Sequence, residues 1–124
     1  MKVVYVCSPL RGDVERNSQN ARYYCQMSAG MGVVPLAPHA IFTQYLDDRE
    51  PEQREQGLRM GLELLLKCDE LWWFGSVVSE GMAAEIKLAK QNGISVHQVI
   101  DPDDPLCYPA CPRSVAEMIT LYSG

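Results

Sequence analysis

At 124 residues with a formal net charge of -5 and 47% hydrophobic side chains, the chain has the size of one domain with a real core, and residues 1–124 are expected to form a single unit. The acidic balance and the lack of a dense basic stripe exclude a protein built to grip a nucleic-acid polymer. No apolar run approaches the roughly 20 residues that span a bilayer, so no membrane partner is expected.

Five cysteines, Cys7, Cys25, Cys68, Cys107 and Cys111, are an odd set. The first three lie in apolar periodic segments, as buried free thiols do, which fits a reducing cytoplasm and a chain with no secretory leader. The Cys107-x-x-x-Cys111 pair has no histidine at a partner spacing, because His39 and His97 lie elsewhere. Neither a metal nor another cofactor is expected.

In chain order, residues 2–7 (Lys-Val-Val-Tyr-Val-Cys) read as a central strand buried on both faces. Ser8-Pro9-Leu10-Arg11-Gly12 breaks the pattern, and Asp13 caps a predicted helix to about Gly30 with Asn17, Ala21, Tyr24, Cys25 and Ser28 along one side. Val33–Leu36 is a short strand whose Pro35 suits an edge. Ala37-Pro38-His39 leaves it as a rigid loop predicted to run to about Glu50. With Phe42, Tyr45, Asp47 and Asp48, that loop is a candidate lid or pocket wall. Pro51 opens a helix to Lys67 supported by Leu58, Leu62, Leu65 and Leu66. Gly57 and Gly61 interrupt it, which points to close approach by a helix of a second subunit or by a ligand.

Residues 69–75 (Asp-Glu-Leu-Trp-Trp-Phe-Gly) form the next strand, with Trp72 and Trp73 expected as packing groups. A helix begins near Ser79 and stops at Gly93, and Ile94–Ile100 gives a further strand. After a Pro- and Asp-rich segment, Ser114 caps a predicted last helix carrying Val115, Met118, Ile119 and Tyr122. The alternation gives an α/β fold: three layers, an open, mostly parallel sheet of four to five strands, and helices on both faces, Rossmann- or flavodoxin-like in outline.

Within the helix that follows Ser79, Gly81, Met82, Ile86, Leu88 and Ala89 form one apolar arc at roughly 100° per residue. Glu85 falls near its middle, where burying a carboxylate is costly unless it is paired or used. The alternative is an N-terminal Glu that snorkels and is favoured by the helix dipole. Ligands of open parallel sheets bind beyond the carboxyl ends of the strands, and Ser8–Gly12, Pro38-His39 and Gly75–Gly81 all lie there. Ser8, Arg11 and Gly12 offer a hydroxyl, a guanidinium and close backbone approach before a helix start, the parts of a phosphate or sugar-hydroxyl cradle. His39 can bond a substrate or cap its own loop.

Tyr5-x-Cys7-x-x-x-Arg11-Gly12, Cys68-Asp69 and Ser79-x-Gly81-x-x-x-Glu85 together resemble the nucleoside 2-deoxyribosyltransferase superfamily, in particular its small branch related to 2'-deoxynucleoside 5'-phosphate N-hydrolases. The resemblance runs from Tyr5 to about Ile100 and implies one nucleoside 2-deoxyribosyltransferase-like domain. It implies cleavage or transfer at the N-glycosidic bond of a 2'-deoxynucleoside or its 5'-monophosphate, with Glu85 as nucleophile and Tyr5 hydrogen-bonded to it. It further implies that Arg11, Gly12, Ser79 and Gly81 hold the 5'-phosphate, and Ser8, His39 and Met82 complete the expected binding set. A homo-oligomer is expected to complete so small a pocket. Two positions depart from the family. Its helix Asp, eight residues before Asp69, is Gly61 here, leaving Asp47, Asp48 and Asp69 as candidates for the leaving-group acid, and its phosphate-loop Ser falls at Pro9. A non-catalytic nucleotide-binding or sensing module on the same fold is the rival expectation.

Overall fold

A computed structural model of the chain describes residues 1–9 and 13–100, and the backbone of 119–123. Its elements run β1 (Val3–Cys7), α1 (Val14–Gly30), β2 (Val34–Leu36), α2 (Pro38–Ile41), a 3-10 turn (Phe42–Gln44), α3 (Pro51–Leu66), β3 (Glu70–Phe74), α4 (Glu80–Gln91), β4 (Ser95–Val99) and β5 (Ile119–Ser123). The sheet order is β2-β1-β3-β4-β5. The first four strands are parallel, and β5 pairs antiparallel with β4. This is the α/β architecture that the alternating pattern predicts. From β1 the chain steps outward to β2 and then crosses back to β3 on the other side, so the topological switch point lies between β1 and β3.

Strand alternation divides the core into two halves. On one face Val4 and Val6 of β1, Trp72 and Phe74 of β3 and Val99 of β4 pack with Ala21 and Tyr24 of α1. Tyr24 stacks on Phe74 with ring centroids 4.5 Å apart. On the other face Tyr5 and Cys7 of β1, Leu71 of β3 and Val96 of β4 meet Leu65 of α3 and Met82 and Ala89 of α4. Trp72 is buried on the first face and Trp73 partly buried on the second, so both rings pack.

Local chemistry fixes the element ends. The Asp13 carboxylate accepts the Arg16 backbone N–H at 3.1 Å and starts α1. Pro51 occupies the first turn of α3, where its missing N–H is no loss. At the end of β3, Gly75 takes a φ of 98°, which lets the chain turn sharply out of the sheet toward α4.

Three expectations change. The segment after β2 is not a plain loop, since Pro38 nucleates α2 and Phe42–Gln44 form a 3-10 turn. Ile119 and Tyr122 lie in a strand, not a helix. The run Ile-Thr-Leu-Tyr-Ser is β-branched and aromatic, and it covers the edge of β4, a gain that helical spacing cannot register. Ser114, Val115 and Met118 lie outside the described residues. The α3 leucines also divide unexpectedly, with Leu65 buried and Leu58, Leu62 and Leu66 exposed. The inward face instead runs through Gly57, Gly61 and Leu65. A Cβ on Gly57 would meet Leu46 and one on Gly61 would meet Tyr5 and Pro38, all at ordinary van der Waals distances. Among the described residues no helix is long and apolar enough to cross a membrane.

This division of α3 is measurable by urea unfolding. Leu65→Ala should cost about 2–5 kcal/mol, as deletion of a packed side chain does. Leu62→Ala should stay within roughly 0.5 kcal/mol of the parent, as an exposed substitution does. Equal effects would place the leucines in one common face.

Candidate functional site

The site lies at the switch point. Tyr5 and Cys7, two residues apart on β1, project from the same sheet face toward α4. Ser79 caps α4, its Oγ accepting the Met82 N–H at 3.3 Å, and the apolar arc of the helix sets which face packs on the sheet. Met82 and Ala89 are then buried, and Glu85, one turn from each, is carried over β1.

Both carboxylate oxygens of Glu85 are engaged. The Tyr5 hydroxyl donates to Oε2, and the Cys7 thiol donates to Oε1 with 3.8 Å between sulfur and oxygen. Burial raises the Glu85 carboxyl to about 7, against the opposing pull of the two donors. Burial, followed by the adjacent Glu85 charge, holds Tyr5 and Cys7 well above their ordinary values. Both therefore remain protonated donors at neutral pH. A carboxylate that is half ionised near pH 7 and faces two fixed donors can act as a nucleophile or a general base.

His39, from α2, reaches over the end of β1, where its Nε2 lies 2.7 Å from the Ser8 carbonyl oxygen. Since a carbonyl only accepts, Nε2 carries the proton and Nδ1 presents a lone pair. Burial lowers the His39 pKa, so the ring is neutral at physiological pH. Ser8 is fully buried, and its Oγ has no hydrogen-bond partner among the described residues. Gly81 lies exposed in the first turn of α4, with nothing near the place a Cβ would take. Met82, also in the expected binding set, has its side chain in the core and its N–H on the Ser79 cap. Arg11 and Gly12 lie outside the described residues.

Cys7 is the member that sequence reasoning missed. Its signal was its parity with Tyr5, since residues i and i+2 of a strand share a face. Gly61 stands directly over the pair, where a Cβ would lie 3.5 Å from the Tyr5 hydroxyl oxygen. Of the three candidate acids, Asp69 accepts the Val3 N–H at 2.8 Å, at the amino end of β1 and away from the site. Asp47 is tied to Arg49 at 3.0 Å. Asp48 is the one whose charge acts on the His39 ring.

Residues 2–99 match the model of a domain family described as a domain of unknown function, DUF7768. No curated protein gives a significant match. Among solved structures, a 2-deoxyribosyltransferase from the psychrotolerant bacterium Bacillus psychrosaccharolyticus superposes with a TM-score of 0.62 at 17% identity, over 77% of this chain and 70% of that one. A 2-deoxyribosyltransferase from Leishmania mexicana superposes with a TM-score of 0.53 at 19% identity, over 83% of this chain and 66% of that one. At such identities the likeness shows a shared fold, and this chain spans about two thirds of the length of those structures.

The buried carboxylate makes stability depend on pH. The folded pKa of about 7 lies above the ordinary 4.5, so the folded state holds the extra proton between those values. Stability therefore falls as pH rises from 4.5 through 7, by about 3 kcal/mol in all. Glu85→Gln removes that loss, so it should unfold at higher urea than the parent at pH 8 and at nearly the same urea at pH 4.5. A difference independent of pH would mean that the carboxylate is not held in apolar surroundings.

Proposed function

We propose that this chain, which belongs to the DUF7768 family, breaks or transfers the N-glycosidic bond of a 2'-deoxynucleoside or its 5'-monophosphate through Glu85. The observation that carries this reading is the Glu85 carboxylate, raised to about 7 and held by Tyr5 at the switch point of a sheet shared with 2-deoxyribosyltransferases. A glycosyl transition state with oxocarbenium character is stabilised by a carboxylate beside the anomeric carbon. In the first step a Glu85 oxygen bonds to that carbon, the carbon–nitrogen bond breaks, and its electron pair leaves with the base, which takes up a proton. In the second, the oxygen of water or the nitrogen of another base bonds to the same carbon, gives up a proton, and releases the Glu85 carboxylate. Tyr5 holds the carboxylate in place through both steps.

The sugar or phosphate is assigned to Ser8, Arg11, Gly12, Ser79 and Gly81. The buried Ser8 hydroxyl and the open first turn of α4 support that assignment. His39 borders the same edge through Ser8, and Asp48, whose charge acts on the His39 ring, is our candidate for the acid that protonates the departing base. Met82 positions the turn from beneath. The branch related to N-hydrolases is the finer form of this reading. A cytoplasmic homo-oligomer belongs to it as well, in keeping with the exposed Leu58, Leu62 and Leu66 on α3. A second reading, a nucleotide-binding module without turnover, is favoured by one observation: Gly61 places no acid over the Tyr5–Glu85 pair.

Incubation with each deoxynucleoside and its 5'-monophosphate, followed by chromatography for free base, tests the reaction. Base release should fall at least about 1000-fold in Glu85→Ala and about 10- to 100-fold in Tyr5→Phe. The ascending limb of kcat/KM should lie near pH 7, where Glu85 ionises. Ligand binding without any base release, unchanged by Glu85→Gln, would select the binding module. An added acceptor base that captures the deoxyribose would distinguish transfer from hydrolysis.

A further inference from the structure

We propose that Cys7 is a positioning residue for Glu85: its thiol holds Oε1 while Tyr5 holds Oε2, so that the carboxylate is fixed through both of its oxygens. The kinetic part of this proposal rests on the reaction proposed for Glu85, whereas the contact itself does not.

The two donors are unequal by chemistry. A phenol is a strong hydrogen-bond donor and a thiol a weak one, so Oε2 is the better neutralised oxygen and Oε1 keeps more of its electron density. Oxygen also has more than one acceptor direction, and a single thiol leaves Oε1 a lone pair for attack. A hydrogen bond of each kind, one on each oxygen, fixes the carboxylate plane as one donor alone cannot. Cys7 cannot wander, because it is completely buried in the cluster formed by Tyr5, Leu65, Leu71 and Met82. Among the described residues, the titratable groups facing Glu85 are Tyr5 and Cys7 from β1, and Cys68, just beyond α3, acts on Tyr5. β3 contributes only the apolar Leu71 and Trp73 to this cluster. Removing the thiol therefore leaves Glu85 with Tyr5 as its one donor among these groups.

Buried thiols of this kind are usually filler, and a filler cysteine makes a different prediction. Its replacement by alanine lowers stability but does not move the titration of a carboxylate. If Cys7 positions Glu85, Cys7→Ala should lower kcat about tenfold with KM little changed and should move the ascending limb of the pH profile to higher pH. Cys7→Ser, which restores a donor, should return the limb toward the parent's position. An unchanged limb in Cys7→Ala, with only a lower melting temperature, overturns the proposal.

A second measurement needs no substrate. The infrared S–H stretching band of Cys7 is isolated as the difference between the parent and Cys7→Ser, or Cys7→Ala where that variant folds. Hydrogen bonded to a carboxylate, the band should shift to lower frequency as Glu85 ionises around pH 7, and in Glu85→Gln it should lose that pH dependence. A band that ignores both pH and Glu85→Gln overturns the proposal whether or not base release is found. A responsive band with no base release from any deoxynucleoside or deoxynucleotide supports the contact and fails only the reaction.

Discussion

A carboxylate from α4 is held over β1 by a phenol and a thiol from that one strand, and the local architecture keeps it there. Tyr5 and Cys7 can both reach Glu85 because they share one face of β1. Glu85 can meet them because α4 packs its apolar arc inward, burying Met82 and Ala89 on either side of it. Gly61 of α3 lies beside the Tyr5 hydroxyl, where a Cβ would make an ordinary contact. The interaction is unfavourable to a folded chain at neutral pH, since the ionised form is the one that burial opposes. A carboxylate whose ionised form is opposed by burial is a reason to look for function, because structural stability alone would favour Leu at that position.

The strand order explains why the centre lies at this edge. With β1 and β3 adjacent and their connections leaving in opposite directions, their carboxyl ends form the topological switch point, the place where open parallel sheets bind ligands. The turn into α4 begins there through Gly75, and the end of β1 carries Ser8 with His39 on its carbonyl. Chemistry-bearing groups from three segments converge because a parallel sheet sends all its strand ends to the same side. The opposite, amino end holds the structural pairs instead: Lys2 with Glu70 at 2.7 Å, and Asp69 on the Val3 N–H. Carboxylates of one type thus have different work according to which end of the strands they occupy.

Much of this was legible without coordinates, and the reasons differ by element. β1 and β3 are dense in β-branched and aromatic residues, as strands covered on both faces are, and β4 follows the glycine that ends α4. The caps at Asp13 and Ser79 are local events between residues three apart, so the sequence contains both partners. Glu85 stood out because it interrupts an apolar arc. By contrast, the burial of α3 was misjudged by following its leucines. A glycine can mark the packed face more reliably than a leucine when another backbone element or a Tyr must come close, and spacing alone does not reveal that approach. The strand at Ile119–Ser123 was missed for a related reason, since its partner, β4, is far away in the chain and the gain comes from pairing.

The amino-acid sequence by itself determined the alternation of strands and helices, the caps that begin α1 and α4, and the presence of a carboxylate out of place among apolar neighbours. These depend on propensity, period and contacts within a few residues. Only the tertiary structure decided that Cys7 shares Glu85 with Tyr5, that Gly61 stands over that pair, and that Asp69 lies at the wrong end of the sheet to join it. Those outcomes depend on strand order and helix approach, which join residues up to 80 positions apart and are set by how whole elements pack.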